Sequence, residues 1–292
     1  MPTLYVVATP IGNLSDMTPR AVETLKGCAF IAAEDTRVTH KLLTHFGIGV
    51  QLISNHQHNE QQRAGELVAR MLEEACDAAL VTDAGTPCIS DPGYVLVQAA
   101  AAAGIPVLAV PGPTAMACAL SVSGFDVREF AFYGFLPRQA KELCGKLTAI
   151  ARSGIPVAVV HESPHRVIDL LRVVCSALPG CRVCACCDLT KLYEKTVRGS
   201  APEVLELLEQ NPKADKGEYC LVLELRGVSL PERPAAPQTS LEALLFERLL
   251  AGADLKAACA ALQEQGCRRN EIYRASMRVK DFLQGWAEAD EL

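Results

Sequence analysis

Short runs of valine, isoleucine, leucine and alanine alternate with amphipathic helical stretches through the first two thirds of the chain. That alternation constrains the fold most, because strands buried on both faces need helices to cover them. Residues 4–8, 28–33, 78–81, 107–110, 130–133, 157–160, 183–187 and 219–225 read as strands. Thr18 is placed to cap a helix with Pro19 at its first position and Gly27 at its end. Residues 38–46, 59–74, 142–152 and 165–178 carry helical spacing. The chain therefore reads as α/β with a largely parallel sheet. The alternation restarts near residues 121–127, which divides it into an N-terminal α/β domain (1–121) and a second one (122–227).

Pro231, Pro234 and Pro237 mark residues 228–240 as a linker. Beyond it, stretches at 241–250, 255–265 and 270–282 form a small C-terminal helical domain (241–292), with Gly266 between the last two. A helix, a short turn and a helix bearing Arg268, Arg269, Arg274, Arg278 and Lys280 has the outline of a helix-turn-helix. A three-helix docking module with a solvated charged face fits that pattern equally well.

Net charge is −6, so a wholly basic surface is excluded, although a local Lys/Arg cluster still permits a nucleic-acid partner. No apolar run is long enough to span a bilayer, and residues 1–7 lack a basic region and a cleavage site. The expectation is a cytoplasmic protein with no membrane association. The thirteen cysteines mostly occupy apolar positions such as Cys28, Cys118, Cys175 and Cys220, where they act as small hydrophobes. In 181–187, strand-like alternation turns Cys184 and Cys186 to one face and Val183, Ala185 and Cys187 to the other. A zinc site needs a turn between paired cysteines and a second such pair, so no metal is expected.

The chemistry concentrates where strands end. Residues 80–94 leave a buried strand through Thr82-Asp83-Ala84-Gly85-Thr86-Pro87, and Asp91-Pro92 reads as the capped start of a helix. Val110-Pro111-Gly112-Pro113-Thr114-Ala115 is a second small-residue exit. Ligands of open α/β sheets bind at the carboxyl ends of strands. Two such turns suggest one adenosine-sized ligand lying across both. Gly-x-Gly-x-x-Gly and Gly-Lys-Ser/Thr loops are missing, which disfavours a nicotinamide enzyme or an ATPase. Thr9-Pro10-Ile11-Gly12-Asn13-Leu14 and Glu34-Asp35-Thr36-Arg37 follow the first two strands and should face the same edge. Glu34 or Asp35 is a candidate base, and Arg37 is suited to orient a phosphate or a ribose. Asn13, His165, Arg166, Lys191 and Lys216, with Arg268, Arg269 and Arg274, are candidates to hold a substrate.

The motifs quoted so far are joined by Ser90-Asp91-Pro92-Gly93, Gly134-Phe135-Leu136-Pro137 and Glu162-Ser163-Pro164-His165-Arg166 in the same chain. In that order they resemble the bacterial small-subunit ribosomal RNA ribose 2′-O-methyltransferases, a branch of the tetrapyrrole methylase superfamily. The resemblance covers about residues 3 to 282. It implies two α/β domains with S-adenosylmethionine in the cleft between them, usually in a homodimer. It also implies methyl transfer to the 2′-hydroxyl of a cytidine in the decoding region of 16S rRNA within the small subunit. Carried over, the cofactor contacts fall at Pro10, Gly85, Thr86, Ile89, Thr114, Ala115, Leu189 and Tyr219. The family usually has Arg-Glu-Leu-Thr-Lys where this chain has Cys187-Asp188-Leu189-Thr190-Lys191, and often Tyr where it has His161. Two rivals remain: a methyltransferase acting on a tetrapyrrole intermediate, and a non-catalytic RNA-binding assembly factor.

Overall fold

The computed structural model describes residues 1–230 and 239–289, in two compact units, Met1–Leu230 and Pro231–Leu292. The first unit holds two five-stranded sheets with helices on both faces. Strands β1 (Leu4–Val7), β2 (Phe30–Ala33), β3 (Gln51–Ser54), β4 (Ala78–Val81) and β5 (Val107–Val110) pair in the order β3-β2-β4-β1-β5. All four pairings are parallel, so every strand exit faces one edge. Helices α1 (Pro19–Gly27) and α2 (Thr36–His45) cover one face of this sheet. Helices α3 (Glu60–Glu73) and α4 (Tyr94–Ala102) cover the other, packing Leu67 and Leu96 against Leu4 and Phe30. Thr18 caps α1 as expected, its hydroxyl accepting from Ala21 N at 3.1 Å.

The second sheet departs from the parallel expectation. Strands β6 (Ala131–Phe135), β7 (Val157–Glu162), β8 (Arg182–Cys187), β9 (Lys195–Ser200) and β10 (Tyr219–Glu224) pair in the order β6-β7-β10-β8-β9. Only β6 and β7 run parallel; the other three pairings are antiparallel. The short connection between β8 and β9 has no room for the helix that a parallel crossover needs. Helices α6 (Ala140–Arg152), α7 (Val167–Ala177) and α8 (Ala201–Glu209) pack on one face, and α5 (Ala115–Ser123) on the other. Cys184 and Cys186 do face opposite to Val183 and Ala185, in the cluster beneath α5.

The expected linker at 228–240 lies outside the described residues over positions 231–238. In the second unit, α9 (Leu241–Leu250), α10 (Leu255–Glu264) and α11 (Arg269–Ala289) share a core of Leu245, Leu262, Ile272 and Val279. Among the described residues, no helix is long and apolar enough to cross a membrane.

Candidate active site

The loops that leave the first sheet are bonded to one another, which makes its exit edge a built surface. Thr9 and Gly85 exchange two backbone hydrogen bonds, Thr9 N to Gly85 O at 2.9 Å and Gly85 N to Thr9 O at 3.0 Å. Gly85 has φ +87°, a left-handed conformation that a residue without Cβ adopts at little cost. The Thr9 hydroxyl donates to Thr82 O, and the buried Thr82 hydroxyl donates to Glu34 Oε2 at 2.5 Å. Asp35 N donates to Asp83 Oδ1 at 3.1 Å, joining the β2 and β4 exits.

The second sheet supplies the opposing wall. The β7–β10 and β8–β10 registers set Tyr219 opposite both Glu162 and Cys187, so the ends of β7 and β8 meet the start of β10 at one edge. The 188–191 loop after β8 reaches across to the first half. Lys191 lies so close over Gly12 that a Cβ on Gly12 would meet its Cγ at 2.5 Å. Asp188 (φ +51°) and Thr190 (φ +66°) are both left-handed, a strain of about 1–3 kcal/mol each. Bonds from Asp188 N to Glu218 O (3.0 Å) and from Thr190 N to Glu194 Oε2 (2.6 Å) hold the loop in place.

Between these walls lies a cleft of about 410 Å³. It brings together Gly85, Thr86, Ile89, Thr114, Ala115, Leu189 and Tyr219 from both halves. Pro10 is not among them; it lines a smaller cavity of about 250 Å³ with Leu14, Val38 and Thr39. A cleft of this size suits a nucleoside-sized ligand. Ile11, Ile89, Met116 and Leu189 give it apolar surface, and Thr86, Ser90 and Thr114 give hydroxyls. Its charged lining is acidic (Asp91, Glu162 and Glu218), with no lysine or arginine lining it among the described residues. Glu162 and Glu218 are held by Arg166 and Lys191 at 3.3 and 3.0 Å, whereas Asp91 has no ion pair among the described residues. The first turn of α5 adds backbone N–H groups, since the Thr114 side chain does not cap them. This donor set fits S-adenosylmethionine: apolar walls for adenine, hydroxyls for ribose, carboxylates near the cationic centres and a helix start for its carboxylate. A polyphosphate would find no cation here.

Asp91 does not cap α4, contrary to the Asp-Pro reading. The N-cap is Gly93 at φ +128°, and the Gly93 N–H is taken by the buried carboxylate of Glu60 at 2.9 Å. Asp91 instead turns toward Thr82. Burial, followed by the negative charge of Glu34, raises its carboxyl to about 6. Asp35 is the opposite case. Its oxygens accept from Arg37 Nε and Nη2 at 3.0 and 2.6 Å and from Arg37 N at 2.8 Å, as the N-cap of α2. Those bonds hold it well below the usual carboxylate range, which makes it a weak base. Glu34, Asp35 and Arg37 stand beside the cleft rather than in its lining.

The remaining candidates separate. Asn13 caps a single turn of 3-10 helix through Ser15 N. Arg166 donates to Leu136 O and Pro137 O at 3.3 and 3.0 Å, clamping the β6 exit to β7. His165 is exposed over a shallow depression with Arg172 and Asp215. Lys191 bridges Asp188 and Glu218, while Lys216 lines a separate groove. Arg268, Arg269 and Arg274 are exposed in the second unit. The sequence reading missed Phe132, Phe135 and His161 as cleft residues. The imidazole stands edge-on to both rings, at 5.0 and 5.8 Å, and burial lowers its pKa.

Comparison with known proteins adds four findings. The model for tetrapyrrole (corrin/porphyrin) methylases matches residues 3–205. "Ribosomal RNA small subunit methyltransferase I" of Escherichia coli O157:H7 is 40% identical over 275 residues, 94% of each chain. The protein so named in Synechocystis is 39% identical over 96% of this chain and 99% of its own. The solved structure of the methyltransferase CobJ matches with a TM-score of 0.56 at 17% identity, over 77% of this chain and 94% of that one. At that identity the likeness speaks to fold alone.

Proposed function

The chain belongs to the tetrapyrrole methylase family, and from that membership we propose that it methylates the 2′-hydroxyl of a cytidine in the decoding region of 16S rRNA. In this reading S-adenosylmethionine is the donor, the enzyme is a cytoplasmic homodimer, and the substrate is rRNA within the small ribosomal subunit. Relatives bearing the small-subunit methyltransferase name match almost end to end, which favours rRNA over a tetrapyrrole. The observation that carries the donor assignment is the cleft, nucleoside-sized, acidic and free of lining lysine or arginine among the described residues.

When bound, the cofactor supplies an activated methyl group on a sulfonium, which is transferred by in-line displacement. The protein's part is to bind, orient and exclude water. Gly85, Thr86, Thr114 and Ala115 offer polar groups at the two small-residue turns, and Ile89 and Leu189 offer apolar surface. Asp91, in the lining, is placed to take the ribose hydroxyl proton, and its pKa of about 6 leaves it largely ionised at neutral pH. Glu34, across Thr82, raises the proton affinity of Asp91 and acts as a positioning residue. Arg37, exposed and prearranged by Asp35, is suited to a substrate phosphate.

Calorimetric titration with S-adenosylmethionine tests the donor assignment. One site per chain with micromolar affinity is expected, and no binding below millimolar concentration would contradict it.

A further inference from the structure

A second cavity, of about 470 Å³, opens on the other side of Tyr219 from the cleft, and the tyrosine lines both. Its charged lining is Lys195, Lys213, Lys216 and Asp188. The three lysines are exposed, and none is in an ion pair among the described residues. Asp188 is already paired with Lys191 at 2.8 Å. Of the neighbouring carboxylates, Glu218 is engaged by Lys191 and Glu194 by the Thr190 N–H, while the exposed Asp215 lines the adjacent depression with His165 and Arg172 rather than the groove. A chain of net charge −6 thus keeps three unpaired ammonium groups around one groove. Beside them Tyr193 is 78% exposed, with Lys213 Nζ 5.8 Å from its ring centroid.

Unpaired lysines with an exposed aromatic ring match single-stranded nucleic acid, whose phosphates need cations and whose bases stack on π faces. We infer that the Tyr193–Lys195–Lys213–Lys216 groove holds the single-stranded RNA segment flanking the methylated nucleotide. The lysines neutralise its phosphates, and Tyr193 takes one base by stacking. This inference rests on the rRNA reading above and deepens it. Tyr219 lines both cavities, so the groove lies next to the cleft in which the ribose would react.

The test uses the full chain and a labelled twelve-nucleotide oligouridylate, with anisotropy read from low to high salt. Lys195→Gln/Lys213→Gln/Lys216→Gln should weaken binding at least tenfold and flatten the log–log salt slope by about 2, at ~0.7 per phosphate contact. Tyr193→Ala should lose about tenfold, and Tyr193→Phe should stay within twofold of wild type. Calorimetric S-adenosylmethionine affinity should be unchanged in all variants, which excludes misfolding as the cause. Wild-type affinity and slope in the triple variant, or no oligonucleotide binding by the wild type, overturns the groove. So does a variant that loses its dimer by size exclusion while keeping RNA affinity, because the groove would then hold a second copy of the chain. If wild-type enzyme transfers no methyl group to small ribosomal subunits, the rRNA reading fails on that assay, and the salt series still decides the groove.

Discussion

A carboxyl group among apolar neighbours and beside other carboxylates holds its proton to a higher pH than one in water, and Asp91 stands in that position. If it accepts the hydroxyl proton, it must be ionised, so methyl transfer should fall as pH drops through about 6. Asp91→Asn should lower the single-turnover rate about 100-fold or more and remove that acidic limb. Glu34→Gln removes the neighbouring negative charge, so the limb should move to lower pH, a shift a purely structural role would not produce. The sign for stability runs the other way. A folded-state pKa raised to about 6 stabilises the protein below the ordinary carboxylate range, near 3.9, and that contribution is lost as pH rises through 6. Asp91→Asn should therefore melt at a higher temperature than wild type at pH 8, measured by calorimetry, and gain little at pH 4. None of this is visible in the string Ser90-Asp91-Pro92-Gly93, which satisfies the rules for a helix start. What the pattern cannot carry is that Glu60, some thirty residues earlier, supplies the carboxylate at Gly93 N.

Among the elements, strands with apolar runs were legible, the edge strands β5 and β6 included, and the more polar edge strands β3 and β9 were not. β4 and β7 have an almost wholly buried run and stand out as apolar stretches. β3 (Gln51–Ser54) and β9 (Lys195–Ser200) are outermost in their sheets and half exposed, so their residues are largely polar and the strand signal is weak. The antiparallel pairing of the second sheet was equally hidden, because with β9 unread the connection from β8 to β10 through α8 has the length of a parallel crossover. The 188–191 loop was legible only as a motif; its reach across to Gly12 is a property of the fold. That contact gives an element-level prediction. Gly12→Ala places a methyl group against Lys191 Cγ and 3.1 Å from Leu189 O, displacing the loop that carries Leu189. S-adenosylmethionine affinity should fall severalfold by calorimetry, and Lys191→Ala added to Gly12→Ala should recover part of it.

At the scale of the whole molecule, two sheets of different connectivity present their exit edges to one cleft. Seven of the eight cofactor contacts implied by resemblance come together there although they are spread from Gly85 to Tyr219 along the chain. Small-residue turns announce themselves in sequence because few residue types satisfy their backbone geometry. The acidic character of the cleft and the lysine groove beyond Tyr219 do not, because each is assembled from side chains distant in sequence. The central claim joins this cleft to a ribose hydroxyl of rRNA, and it is tested by tritium transfer from methyl-labelled S-adenosylmethionine to small ribosomal subunits lacking the modification. The account predicts label in 16S rRNA recovered, after alkaline hydrolysis, in an alkali-stable dinucleotide whose 5′ residue is a 2′-O-methylated cytidine. Label in a base, transfer only to a tetrapyrrole, or no label in rRNA would contradict it.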